Sequence, residues 1–255
     1  MTNNIQLLNG DCLELMQAIP SQSIDMILCD LPYGRTHNRW DSVIPYDKLW
    51  EQYERVIKPN GCVALFCDGL FMAELMLSNR DMWKYNLVWD KVLPSGFLNA
   101  NKQPMRSHEE IAIFYKSQPT YNPQKTKGKP NHSKGTPKDC ANNNYGNFDF
   151  VDNRDELGDM KHPKSIITVQ KPHPSTMLHP TQKPVEVLEW LIKTYTNEGG
   201  VVLDNCMGSG STGVACINTS RQFIGIELTE EYFIKAKDRI EKHQRETSFS
   251  KGELF

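Results

Sequence analysis

Short apolar runs alternate with helix-period segments along most of this 255-residue chain, and that alternation restricts the fold more than any other feature. "IQLLN" reads as a strand, "CLELMQAI" as a short helix with Leu13, Met16 and Ile19 inward, and "SIDMILCD" as a second strand. "YDKLWEQYERVIKPNG" reads as a helix whose Leu49, Tyr53, Val56 and Ile57 fall at i, i+4, i+7 and i+8, stopped by Pro59-Asn60-Gly61. "CVALFCD" is apolar throughout, as a strand covered on both faces is. A helix near "LFMAELMLSN" and strands "YNLVWDK" and "EEIAIFYK" follow. Order returns at the helix "KPVEVLEWLIKTYT", then the strand "GGVVLDNC", the helix "STGVACIN", the strand "RQFIGIEL" and the helix "TEEYFIKAKDRIEKHQ", with acids in its first turn. Strands separated by helices pair in parallel, so the expected class is α/β, a doubly wound and mostly parallel sheet. The consecutive strands near 85–115, with no helix between them, predict an antiparallel edge.

Residues 117–176 are rich in Pro, Asn, Lys and Gly and show little periodicity. They read as an insertion, placing one domain in two parts, 1–116 and 177–245, with 246–255 as a loose tail. In doubly wound sheets ligands bind beyond the carboxyl ends of the strands. Asp30, Asp68, Asp204 and Glu227 all fall at such ends, and Asp11 lies one turn beyond its strand. The pattern therefore gathers five acids on one rim. Among them "CDLPYG" is peculiar: Asp30 is costly to bury unpaired, and Tyr33 is bracketed by Pro32 and Gly34 in a turn. Locally, a strand end with a packed Tyr accounts for it.

"VVLDNCMGSGSTG" carries Gly208-x-Gly210-x-x-Gly213 straight after a strand and at the start of a helix, with Glu227 at the next strand end to take ribose hydroxyls. Glycines allow close approach of a ligand, and a helix start favours an anionic group. A dinucleotide pyrophosphate suits this loop; so does the methionine carboxylate of S-adenosylmethionine (SAM), with Asp204 beside its ammonium. A dinucleotide loop commonly begins its chain's nucleotide half, and here it comes last, which tilts the balance toward SAM.

Seven Cys show neither Cys-x-x-Cys nor zinc-site spacing and read as reduced core residues, so a cytoplasmic protein without metal is expected. The polar start "MTNNIQLLNG" predicts no signal peptide, and no apolar run approaches the roughly 20 residues of a membrane helix. The formal net charge of −2 does not advertise a polyanion partner, yet Lys116, Lys125, Lys127, Lys129, Lys134 and Lys138 follow one another with no acid between them.

Taken together, "DLPYG" first, "HPTQKPVEVLEWLI" and "DNCMGSGSTG" last, and the ending "QFIGIEL…EEYFIKAKDRI", the chain resembles the amino-group DNA methyltransferases of the beta arrangement, in which an Asp-Pro-Pro-Tyr motif precedes a target-recognition region and the cofactor loop. The resemblance covers most of the chain outside 117–176 and implies a Rossmann-like SAM methyltransferase with permuted motif order. Leu31 stands where the family often has Pro, and Asn205 and Cys206 where Pro and Phe are common.

The resemblance implies methylation of an exocyclic amine in double-stranded DNA, adenine N6 in particular, because members acting on cytosine N4 more often carry Ser at the position of Asp30. Asp30 and the Leu31 carbonyl, held by Pro32, would accept the amine N–H groups, and Tyr33 would stack on a flipped base. Asp11, Cys12, Asp30, Thr181, Lys183, Asp204, Cys206, Gly208, Ser209, Gly210, Ser211, Thr212 and Glu227 are the implied cofactor residues. A helix N-cap equally accounts for Asp11, a solvated helix start for Thr181 and Lys183, and a simple turn for His179. Arg35, Arg39, Trp40, Lys102, Arg106, Lys125, Lys127, Lys129, Lys134 and Lys138 are candidate DNA contacts, with the Asn run of "ANNNYGNFD" suited to adenine edges. For part of the Lys-rich stretch a solvated loop is the competing account. Homodimerisation and a cognate restriction enzyme stay open. Cytosine-N4 methylation is the nearest alternative, and RNA or protein amide methylation another. A nicotinamide oxidoreductase would need a proton-transferring His or Tyr–Lys pair beside the glycine loop, which is not seen. A DNA-binding module without activity would not need the loop, Glu227 and Asp30 together.

Overall fold

The computed structural model describes residues 4–34, 42–129, 159–173, 175 and 182–250. Contacts divide the chain into two compact units, one formed by residues 1–122 and 165–255, the other by Pro123–Lys164. The second unit holds a two-residue antiparallel ladder, β6 (Thr126–Lys127) with β7 (Met160–Lys161). It is narrower than the 117–176 span read from composition.

The first unit is built on β1 (Ile5–Asn9), β2 (Ile24–Cys29), β3 (Ile57–Cys67), β4 (Trp83–Ser95), β5 (Arg106–Phe114), β8 (Ile166–Thr168), β9 (Val201–Asp204) and β10 (Gln222–Glu227). Their order across the sheet is β1-β10-β9-β2-β3-β5-β4-β8. All neighbours are parallel except β5, which runs against both β3 and β4. The antiparallel strand expected at the edge is therefore internal. The edge belongs to β8, three residues from the stretch read as aperiodic, paired to β4 through Val88 and Ile166. Three residues are too few to display a period, which is why sequence reading passes over them.

Helices α1 (Cys12–Leu15), α2 (Tyr46–Val56) and α3 (Gly69–Ser78) cover one face; α4 (Val185–Tyr195), α5 (Ser211–Asn218) and α6 (Glu230–Ser250) cover the other. Strand β2 shows how the two cores are separated. Met26 and Leu28 pack with Val187, Leu191, Ala215 and Ile240, while Ile27 and Cys29 pack with Met16, Leu49, Tyr53 and Leu75. Successive side chains of a strand point to opposite faces, so a run buried on both sides must be apolar throughout. Two boundaries differ from the periodicity. Ile57, expected on the helix, begins β3: Pro59 disfavours helical backbone at Lys58, and the helix ends ahead of it. The last helix continues through Ser250, so the loose tail expected from 246 does not begin there. Ahead of that stretch it carries i,i+4 pairs at Lys237–Glu241 and Lys242–Glu246.

The order places β9 beside β2, and from that seam the chain winds outward in both directions, β9 to β10 and β2 to β3. This is the point where a doubly wound sheet leaves a crevice beyond its carboxyl ends. Asp204 closes β9 and Asp30 follows β2, so the two acids face one crevice for a topological reason. Among the described residues no helix is long and apolar enough to cross a membrane.

Candidate active site

A cavity of about 870 Å³ opens at this seam. Its lining includes Asp11, Cys12, Asp30 to Tyr33, Lys183, Asp204, Cys206, Gly208, Ser209, Ser211, Thr212 and Glu227, so most of the residues singled out from sequence share one space. Thr181, Arg35, Arg39, Trp40, Lys134, Lys138 and the Asn run lie outside the described residues.

The glycine loop forms one wall. Gly208 and Gly210 take φ of 50° and 73°, backbone that favours glycine. Gly210 is the N-cap of α5, and no side chain caps that helix. Gly213 serves packing: a Cβ there would sit 2.6 Å from Ile240 Cδ1 and 2.9 Å from a ring carbon of Phe223. From α6, Arg239 donates to the Ser209 carbonyl at 3.0 Å and to Ser211 Oγ at 3.0 Å, clamping the loop from behind. Buried Asp204 accepts from Thr212 Oγ1 at 2.6 Å and from the Cys206 N–H at 3.2 Å. Burial pushes its carboxyl up to about 7 even against those two donors. Glu227 accepts from the Gly208 N–H and the Thr229 N–H, both at 2.9 Å, and burial lifts its carboxyl above the ordinary range. Asp11 caps α1, accepting from Leu13 N–H at 2.7 Å, while also lining the cavity.

Asp30 forms the opposite wall. Its Oδ1 accepts from Tyr33 OH at 3.0 Å and its Oδ2 from Lys183 Nζ at 2.7 Å. Lys183, singled out among the cofactor residues, reaches the strand-end acid of β2 within the cavity that the glycine loop also lines. Its side chain is 11% exposed and lies 3.2 Å from Glu109 Oε2. Lys91, 4% exposed, contacts Glu109 Oε1 at 3.2 Å. Two acids and two ammonium groups thus alternate from Asp30 through Lys183 and Glu109 to Lys91. Burial raises the Asp30 carboxyl, with Lys183 opposing it. Burial opposes the charged form of Lys183, but Asp30 and Glu109 overcome that and keep it cationic. For Glu109, burial is outweighed by Lys183 and Lys91, which hold its carboxyl below the usual range. Tyr33 stacks on Phe71 with ring centroids 4.4 Å apart and planes 24° from parallel.

Glu109, Lys91, Phe71, Tyr53 and Arg239 were not singled out from sequence as site residues, Tyr53 being read only as an inward helix position. Glu109 and Lys91 left only a faint trace, each standing beside a second charged residue next to an apolar run, in "EEIAIF" and "LVWDKV". Buried Tyr53 donates to Asn205 Oδ1 at 2.5 Å, and Asn205 in turn reaches the thiols of Cys12 and Cys206 at 3.6 Å each. The Asn205-Cys206 departure from the family pattern is thereby stitched to α1 and α2. Arg106, a candidate DNA contact, pairs with the rim acid Asp68, and Lys102 sits exposed on the loop between β4 and β5. Lys125, Lys127 and Lys129 are exposed on the second unit, Lys127 lying 3.4 Å from Asp159. Among the described residues no cluster of His, Cys, Asp and Glu could hold a metal ion.

A profile of the DNA methylase family matches residues 24–238. The Type II methyltransferase M2.DpnII of Streptococcus pneumoniae is 28% identical over 94% of this chain and 90% of its own. A crystal structure of the M1.HpyAVI–SAM complex is similar at a TM-score of 0.61 and 26% identity, covering 92% of this chain and 98% of that one. The cytosine-N4-specific PvuII DNA methyltransferase shares the fold at a TM-score of 0.67 and 16% identity, over 96% and 93% of the two chains.

Proposed function

This chain belongs to the DNA methylase family, and from that premise we propose that it transfers a methyl group from SAM to the exocyclic N6 of an adenine flipped out of double-stranded DNA. The observation that carries this reading is the shared crevice: a carboxylate already holding an O–H and an N–H donor stands across one cavity from a glycine loop with two buried acids.

The donor set suits SAM. Asp204 is a buried acid for the ammonium, the uncapped start of α5 suits the carboxylate, and Glu227 keeps lone pairs for ribose hydroxyls beyond those given to Gly208 and Thr229. SAM supplies an already activated methyl group, so the protein's task is to orient the amine. An exocyclic amine is a weak nucleophile, since its lone pair is delocalised into the ring. Asp30 and the Leu31 carbonyl accept its N–H groups and favour the tetrahedral nitrogen, and Asp30 lies on the path of the proton that nitrogen must lose. Tyr33 and Phe71 offer a stacked aromatic pair which the flipped base can extend. Asp rather than Ser at position 30 supports adenine over cytosine, as in the family resemblance.

The reading is tested by incubating the protein with SAM and unmethylated mixed-sequence DNA, digesting to nucleosides and weighing the products. N6-methyladenine is expected. N4-methylcytosine overturns the choice of base, and the absence of both methyl nucleosides and SAM binding overturns methyl transfer.

The acid that burial holds near 7 also gives the cofactor site a pH dependence. An ammonium ligand favours the ionised form of Asp204, so affinity rises as pH climbs through about 7. SAM affinity is expected to improve roughly 5–10-fold between pH 6 and 7.5, then to decline as the cofactor amine, of ordinary value about 7.7–8.0, loses its proton. Titration calorimetry checks this, and Asp204→Asn is expected to remove the acid limb.

A further inference from the structure

Resting on the reading above but going beyond it, we propose that the tip of the β4–β5 hairpin is a wedge, whose Phe97 and Leu98 enter the duplex at the place the target base leaves. Phe97 is 79% exposed and Leu98 97% exposed, two large apolar side chains side by side in water. They are not on a slack loop. Gly96 takes φ of 91° to start a 3₁₀ turn over Phe97–Asn99, closed by Asn99 N–H to the Gly96 carbonyl at 2.9 Å and Ala100 N–H to the Phe97 carbonyl at 3.0 Å. Below the turn, Lys171 donates to the Pro94 carbonyl at 3.1 Å and Lys91 to Ser95 Oγ at 3.0 Å, tying the hairpin down. A turn so held presents its side chains at little further ordering cost.

Position and charge indicate the occupant. Lys91, Ser95 and Arg106, at the foot of the hairpin, line the same cavity as Asp30 and Tyr33, so the tip rises from the rim where a flipped base must pass. On the hairpin Lys102 is exposed and Lys171 lies at its foot, while Lys91 and Arg106 are paired with Glu109 and Asp68. An apolar point set among cations suits a polyanion with an apolar interior, which is a stacked duplex. A self-complementary contact between two copies would bring these like charges together around the two-fold axis. Extracting a base leaves a gap in the stack, and apolar side chains inserted between base steps fill such gaps.

The test uses two readouts on the full chain, with Phe97→Ser/Leu98→Ser as the variant; both positions are exposed, and unchanged SAM affinity verifies its fold. The first is binding to a short duplex bearing one abasic site against the same intact duplex. The wild type is expected to prefer the abasic duplex about 10-fold, and the variant to show no preference, since the wedge replaces about one base of stacking. The second is the initial rate of methyl incorporation into unmethylated duplex DNA, expected to fall about 10-fold or more on the same ground. Lack of abasic preference in the wild type, or its survival in the variant, overturns the wedge. So does a variant that instead loses self-association in sedimentation, which assigns the tip to a second copy. Absent methylation by the wild type with a tip-dependent abasic preference overturns the methyl-transfer reading and retains the wedge.

Discussion

Replacing Asp30 with Ala is expected to lower methyl transfer by about 10³-fold, on the scale seen when a positioned electrostatic group is removed from a reacting centre, while SAM affinity changes by less than about 3-fold. The selectivity follows from the geometry. Asp30 stands on the β2 side of the seam, and the groups assigned to the ammonium and ribose, Asp204 and Glu227, stand on the β9 and β10 side. The fold should survive the change, because Lys183 keeps Glu109 at 3.2 Å and is not left as a lone buried charge. Asp30→Asn keeps the shape and tests the charge, since an amide turns one acceptor into a donor facing the substrate N–H. Single-turnover incorporation from labelled SAM measures the loss, and calorimetry measures the binding. A variant that methylates at more than about a tenth of the wild-type rate would remove Asp30 from the mechanism.

The second large effect is expected at Lys183. Its ammonium lies 2.7 Å from Asp30 and is the largest influence opposing the upward push of burial on that carboxyl. Lys183→Met removes the cation and leaves the burial. The Asp30 carboxyl then rises further, a larger fraction is protonated at a given pH, and a protonated acid is a poorer acceptor for the amine N–H. Activity near neutrality is expected to drop about 10²-fold, with the acid limb of the kcat/KM profile moved to higher pH and partial recovery in alkaline buffer. Lys183→Arg restores a cation and should return the limb most of the way. A uniform loss without displacement of the limb would mean that Lys183 serves only to fill space. Glu109 is the positioning residue behind it: held ionised by Lys183 and Lys91, it anchors the ammonium that Asp30 needs.

The sheet was legible because central strands covered on both faces must be apolar throughout and helices covered on one face must repeat, and those requirements write short apolar runs and a period of 3.6 into the chain. They yielded the class, the helices and the collection of acids on one rim. They missed β8, whose Ile166–Thr168 is too short to show a period, and they misplaced the reversed strand, since the order of strands is not a local property. The glycine loop was legible because Gly208 and Gly210 need backbone that other residues resist, while the reason for Gly213 lies 27 residues away on α6, in Ile240.

The sequence by itself determined the chemical repertoire of this protein: a strand-end Asp before Pro and Tyr, a glycine loop after another strand, and acids at successive strand ends. Only the tertiary structure decided the pairing of charges. Lys183 joins Asp30 across 153 positions, Glu109 links it to Lys91, and Tyr53 holds Asn205 across 152 positions. The reason is physical. Backbone preferences and hydrophobic periods act over a few residues and are visible locally. A buried charge is set by whichever opposite charge the packing brings within about 4 Å, and proximity in space leaves no local mark in the chain.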